Sequence, residues 1–237
     1  MIVEDMVVRK VAVGYDSFLP SLNLVSRTDL GSPPVTSILI HGPSGAGKSV
    51  MAMDLAIKLA TRGPTPITDL LLVTTEALPS EIVLQRAVLN VPSDSAIEFV
   101  LDYTKEPIRE KSVVCWTGML SKARLGEEYT DELGEIYGTT ARRAVARGSH
   151  LGVMILDAVS PGTHNDRNNC DDVTKFCMMH GVSLIVVADG PTLYESFADV
   201  VIRLGRGSAY LSKNRFGPAP EYTHRFDITE GKGVVFR

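Results

Sequence analysis

A chain of 237 residues is long enough for one large α/β domain and short for two. At 44% hydrophobic and 22% charged, with a net charge of -4, its composition is that of a soluble globular protein. That balance argues against a broad basic surface for nucleic acid and leaves room only for a local basic groove.

No apolar run approaches the roughly 20 residues of a membrane-spanning helix. The start, Met1-Ile2-Val3-Glu4-Asp5, is acidic and lacks the apolar core of a signal peptide. A cytoplasmic protein without a membrane span is therefore expected. Cys115, Cys170 and Cys177 are odd in number and lack zinc-site spacing, so reduced thiols are expected.

Short apolar runs alternate with helical stretches, the signature of βαβ units. The fold class expected is α/β, a mostly parallel twisted sheet flanked by helices, with hairpins at the C-terminal end. Residues 1–237 read as a single domain, an N-terminal segment 1–34 followed by a core 35–236. Val35 to Ile40 is the first strong strand, after the breakers Gly31-Ser32-Pro33-Pro34. A helix from about Ser49 to Arg62 follows, ended by Gly63-Pro64-Thr65-Pro66. Leu70 to Thr75 is a buried strand, and Pro79-Ser80-Glu81 opens a helix to about Leu89. Ile97 to Leu101 is a short strand.

The stretch from Thr104 to Glu128 mixes charge with the run Val113-Val114-Cys115-Trp116 and reads as irregular. A helix from about Asp131 to Arg147 follows, with Thr130 as its expected cap. Val153 to Leu156 is a buried strand ending at Asp157. The polar segment Pro161 to Asn169 reads as a loop, Asp171 to His180 as a helix and Ser183 to Ala188 as a strand. Val200 to Phe236 reads as short strands and hairpins.

Between the first strand and its helix lies Gly42-Pro43-Ser44-Gly45-Ala46-Gly47-Lys48-Ser49, a full match to G-x-x-x-x-G-K-[ST]. Glycines let the backbone curl so that successive N–H groups face an anion. The start of the next helix adds its orphan N–H groups and the positive end of its dipole, and the expected binding stretch runs from Gly42 to Val50. In such a cradle Lys48 neutralises the β- and γ-phosphates of ATP, and the Ser49 hydroxyl ligates Mg²⁺. Asp157, ending an apolar strand, supplies the second expected Mg²⁺ contact. Hydrolysis needs a group to orient and deprotonate water, and Glu76, at the end of the strand Leu70 to Thr75, is that group.

The order of cradle, Glu76 and Asp157 resembles the RecA/KaiC branch of P-loop ATPases. Ile155-Leu156-Asp157-Ala158-Val159-Ser160 is similar to that branch's strand with Asp, a small residue and Ser. Leu211-Ser212-Lys213-Asn214-Arg215-Phe216-Gly217-Pro218 resembles the K-x-R-x-G-P stretch of DnaB-like helicases and the K-N-R-F-G motif of bacterial RadA. Phe226 to Val234 looks like the terminal strands of KaiC-type domains. The resemblance implies an oligomeric ATPase, a ring or filament, in which Lys213 and Arg215 reach a neighbour's γ-phosphate. It also implies a protein partner whose behaviour hydrolysis drives or regulates.

Two departures stand out. A single acid, Glu76-Ala77, replaces the two adjacent acids usual in KaiC-type domains. The segment Ala188-Asp189-Gly190-Pro191 stands where many RecA-like proteins carry a polar sensor. Three alternatives remain open: a DNA-remodelling motor or recombinase accessory, a nucleotide-dependent switch with little hydrolysis, and, more weakly, a small-molecule kinase. For nucleic acid, the basic stretch Arg142 to Arg147 reads first as a solvated helix face. The loop Thr163 to Asn169, with one Arg and no aromatic, reads first as a solvated loop. The five histidines show no metal-ligand spacing.

Overall fold

The computed structural model describes residues 6–15, 18–27, 34–62, 68–75, 97–107, 113–120, 127–159, 167–219, 222–230 and 232–237. Glu76, the helix expected from Pro79 and the first part of the polar loop, through Asp166, lie outside the described residues. In chain order the elements are β1 (Met6–Tyr15), β2 (Leu19–Arg27), β3 (Ser37–His41), α1 (Lys48–Arg62), β4 (Thr68–Thr74), β5 (Ile97–Val100) and β6 (Val113–Met119). Then come α2 (Glu127–Ala146), β7 (His150–Val159), α3 (Arg167–Met179), β8 (Ser183–Ala188), the single turn α4 (Tyr194–Phe197), β9 (Val200–Gly205), β10 (Ser208–Asn214), β11 (His224–Thr229) and β12 (Gly233–Phe236).

Ten strands make one sheet in the order β12-β11-β10-β9-β3-β8-β7-β4-β6-β5. From β9 to β5 every neighbouring pair is parallel. β10, β11 and β12 add on antiparallel. The central strands β3, β4 and β8 are buried along their whole length. That is why they read as unbroken apolar runs rather than alternating ones: helices and hairpins cover both faces. One face packs Ile38, Ile40, Leu70, Leu72 and Ile155 against α1 and the β1–β2 hairpin. The other packs Leu39, Leu71, Val73, Met154 and Val186 against α2, α3 and α4.

The N-terminal segment is a hairpin with a period-two pattern, Val11, Val13 and Tyr15 buried and Ala12 exposed between them. It docks on α1 through a polar clasp. Tyr15 donates to Asp54 Oδ2 at 2.5 Å, Lys58 donates to the same oxygen at 2.7 Å, and the Lys58 ammonium lies 4.0 Å over the Tyr15 ring. Phe18 stacks on Phe236 of β12 at 4.4 Å, so both ends of the chain share one apolar layer.

Three sequence expectations are corrected. Val113 to Met119, expected within an irregular stretch, is a strand paired on both sides, with β4 and β5. Its neighbourhood explains the odd composition. Asp69 of β4 accepts from Val114 N at 3.0 Å, from Trp116 Nε1 at 3.3 Å and from Arg147 Nη1 at 2.9 Å. The Trp116 indole is thus buried with its N–H satisfied. The helix α2 begins at Glu127, so Thr130 lies within its first turn instead of capping it. Helix α3 begins at Arg167, so the last residues of the expected polar loop are helical. In both helices the apolar period by itself begins too late in the sequence to mark the polar starting residues.

The basic stretch at the end of α2 is only partly a solvated face. Arg142 is exposed, Arg143 pairs with Glu106, and Arg147 is held by buried Asp69. All three cysteines are buried thiols, none of them in a disulfide. Among the described residues no group of His, Cys, Asp or Glu is placed to hold a metal, and no helix is long and apolar enough to cross a membrane.

Candidate functional site

The loop from Gly42 to Gly47 joins β3 to α1 where the parallel strands end. Register brings four carboxyl ends together: His41 pairs with Ala188, and Thr74 pairs with Asp157. Open parallel sheets hold ligands at such an edge, because the connecting loops diverge there. The loop is fastened at its base by Gly42 N–H donating to Ala188 O at 3.3 Å. It turns tightly through Ala46 N–H to Pro43 O at 3.2 Å, and Met51 N–H to Gly47 O at 2.9 Å closes the first turn of α1.

Two glycines are required here, Gly42 by space and Gly47 by its left-handed backbone. A Cβ on Gly42 would lie 2.3 Å from the Leu204 carbonyl oxygen of β9. A Cβ on Gly47, at φ +87°, would lie 2.8 Å from Ile228 Cδ1 of β11. The loop therefore nestles against β9 and β11 from the C-terminal part of the chain. Pro43, Ser44 and Gly45 face solvent, Ala46 is buried, and Ser49 and Val50 are half-buried at the start of α1. The first turn of any helix leaves N–H groups without an intrahelical partner, aligned with the positive end of its dipole. An anion at this loop would meet them.

Two side chains fix the chemistry. Ser49 Oγ, in the first turn of α1, lies 3.1 Å from Asp157 Oδ1 of β7, although β8 intervenes between β7 and β3, the strand that leads into α1. Two hard oxygens this close, one of them a carboxylate's, suit a small divalent cation such as Mg²⁺. Lys48 is 7% exposed. Its ammonium donates to Pro43 O at 2.9 Å and pairs with Asp189 Oδ1 at 2.9 Å, the Asp189 side chain being half-exposed. The geometry thus joins Gly42 through Val50, Lys48, Ser49 and Asp157 in one crevice. Glu76 lies outside the described residues; its predecessor Thr75 donates its N–H to Asp157 O at 3.1 Å.

Lys213 and Arg215 are elsewhere. β10 runs back along β9, so that Asn214 pairs with Val200 at the amino end of β9, whereas Gly42 abuts Leu204 at its carboxyl end. Four strand residues separate those ends by roughly 13 Å. Lys213 Nζ donates to Glu195 O at 2.9 Å and to Ser196 O at 3.3 Å; Arg215 Nη1 meets Asp199 Oδ1 at 3.1 Å. Burial, then the charge of Arg215, lowers the Lys213 pKa below its ordinary value.

Sequence reading gave no site role to two groups at the crevice. Asp189 follows β8 as Asp157 ends an apolar run in β7, and the same strand-end signal marks it. His41, one residue before the loop, is buried, and its Nε2 has no hydrogen-bond partner among the described residues. Burial first, then the Arg203 charge, lowers its pKa, so the ring is neutral at pH 7. No sequence signal separates it from an ordinary strand residue.

No protein-family model and no curated protein matches this sequence. Among solved structures, the crystal structure of a KaiC-like protein from the hyperthermophilic archaeon Pyrococcus horikoshii OT3 superposes with a TM-score of 0.61 at 18% identity. The alignment covers 98% of this chain and 100% of that one. At that identity the likeness speaks for the backbone, and it agrees with the RecA/KaiC resemblance of the motifs. The chain has a RecA-like α/β fold, shared with that KaiC-like protein.

Proposed function

We propose that the chain is an ATPase of one RecA-like domain that binds Mg²⁺-ATP at the Gly42–Val50 loop and hydrolyses it. The observation that carries this reading is the convergence of Lys48, Ser49 and Asp157 on one glycine-curled turn at the sheet's carboxyl edge. Loop and helix N–H groups hold the phosphates, and Lys48 neutralises their charge. Ser49 and Asp157 would hold Mg²⁺, which supplies charge neutralisation to the phosphoryl oxygens. Glu76 orients and deprotonates the attacking water.

Lys213 and Arg215 complete the site of a neighbouring subunit in a ring or filament. Their distance from their own loop supports action in trans, and a cation delivered by a neighbour couples hydrolysis to assembly. To act so, both must leave the α4 carbonyls and the Asp199 carboxylate that hold them in the single chain. The partner on which the assembly works is a protein, or a nucleic-acid strand if turnover is stimulated by DNA in a salt-dependent way.

Equilibrium binding of Mg²⁺-ATP tests the core of this reading. Lys48→Ala should weaken binding by about 100-fold, the effect of losing a charge-assisted contact, with the thermal midpoint little changed. Equal binding by parent and variant, or none by the parent, rejects it. Phosphate release and sizing with and without ATP test the rest. Glu76→Gln should stop turnover and keep binding, and Arg215→Ala should lower turnover without changing the affinity of the isolated subunit.

A further inference from the structure

Phosphate binding does not call for a carboxylate on Lys48, yet one is there. Asp189 begins the segment after β8, and Ala188, the residue before it, accepts the Gly42 N–H at 3.3 Å. The acid is thereby anchored beside the base of the loop. Its side chain is half-exposed while Lys48 is buried, so the carboxylate comes to the ammonium from the solvent side of the crevice. An ammonium has three N–H donors. Pro43 O and Asp189 Oδ1 take two of them, each at 2.9 Å.

In a P-loop site this lysine serves the β- and γ-phosphates together. A diphosphate asks for one of those contacts and a triphosphate for both. We infer that Asp189 stands in for the terminal phosphate: it keeps Lys48 neutralised while a nucleoside diphosphate is bound and must be displaced when a triphosphate binds. Three physical facts make the exchange workable. The carboxylate is half in water, so its contact with the ammonium is readily exchanged for solvent. The displaced carboxylate has solvent to enter. A carboxylate left close to the γ-phosphate repels it. Asp189 thus sets the preference between the two nucleotides, tilting it towards the diphosphate, and its departure marks the triphosphate state. This inference rests on the nucleotide-site reading above.

The test is titration calorimetry of the full chain with Mg²⁺-ATP and Mg²⁺-ADP, on the parent and on Asp189→Asn. The amide removes the negative charge and keeps the size. The ratio of ATP to ADP affinity should rise about tenfold, since one like-charge contact is relieved for the triphosphate alone. Asp189→Ser, with its thermal midpoint measured, gives the same ratio if Asp189→Asn folds poorly. A structural role would move both nucleotides by one factor. A parent that binds both, with a ratio unmoved by either substitution, overturns the assignment of Asp189 alone. A parent that binds neither overturns the nucleotide site itself, and this inference with it.

Discussion

Two cation–carboxylate pairs sit at opposite edges of the same sheet. At the amino end of β4, Asp69 is 0% exposed and is met by Arg147, a backbone N–H and the Trp116 indole. At the carboxyl end of β8, Asp189 meets Lys48 with half of its side chain in water. The first carboxylate has donors on every side that packing leaves open, so the pair ties β4, β6 and the end of α2 together. The second is open to solvent beside a loop of backbone N–H groups, so its lysine can be handed to another anion. Similar ion-pair distances, 2.9 Å in both, thus describe a rivet and a clip. The surroundings, not the contact, separate them.

Removing Asp69 should have the largest effect. Asp69→Ala leaves the Arg147 charge without its buried partner and should lower stability by about 3–5 kcal/mol, read from urea unfolding. A loss under about 1 kcal/mol would mean that the pair is hydrated and the contrast with Asp189 is wrong.

The Tyr15–Asp54–Lys58 clasp is an intermediate case. Tyr15→Phe should cost about 1 kcal/mol near neutral pH, the net worth of one buried hydrogen bond. Burial, then the Asp54 charge, raises the Tyr15 pKa well above 10. A raised folded pKa means the contribution is fully present below pH 10 and is lost as pH climbs through the folded value. The parent should therefore lose stability above pH 10 more steeply than Tyr15→Phe; parallel curves would contradict the burial of that hydroxyl.

Asp189→Ala should change stability by no more than about 1 kcal/mol, as for a half-solvated pair. A loss as large as that of Asp69→Ala would make both pairs structural and erase the comparison. The smallest effect should come from His41, beside the same lysine. Its pKa lies below the unfolded 6.5, so the unfolded chain binds the proton first as pH falls. Stability should then decline from pH 6.5 towards 5 and decline less in His41→Asn. Equal urea midpoints for the two proteins at pH 5, relative to pH 7, would show that the buried ring is not what resists protonation.

Legibility in the sequence followed the range of the forces involved. The loop was readable because the curl, the ammonium and the hydroxyl all fall within eight consecutive residues, Gly42 to Ser49. The fully buried strands β3, β4 and β8 were readable as apolar runs, and Ser183 to Ala188 has the expected bounds. β6 was hidden because its flanks are charged and its burial depends on β4 and β5, distant in the chain. The N-terminal hairpin was hidden because its inward face has meaning only once α1 is beneath it.

The amino-acid order alone marked out an anion-cradle motif, with Lys48 and Ser49 as its expected lysine and hydroxyl, and acids following apolar runs; these patterns depend on neighbours a few bonds away. Tertiary structure decided that Ser49 and Asp157 lie 3.1 Å apart across an intervening strand and that Gly42 has room for no Cβ beneath Leu204. It also decided that Asp189 reaches Lys48 while Arg147 is locked to Asp69. The reason is that strand order in a parallel sheet is set by crossovers spanning tens of residues. Which carboxylate meets which cation is known only when those crossovers have closed.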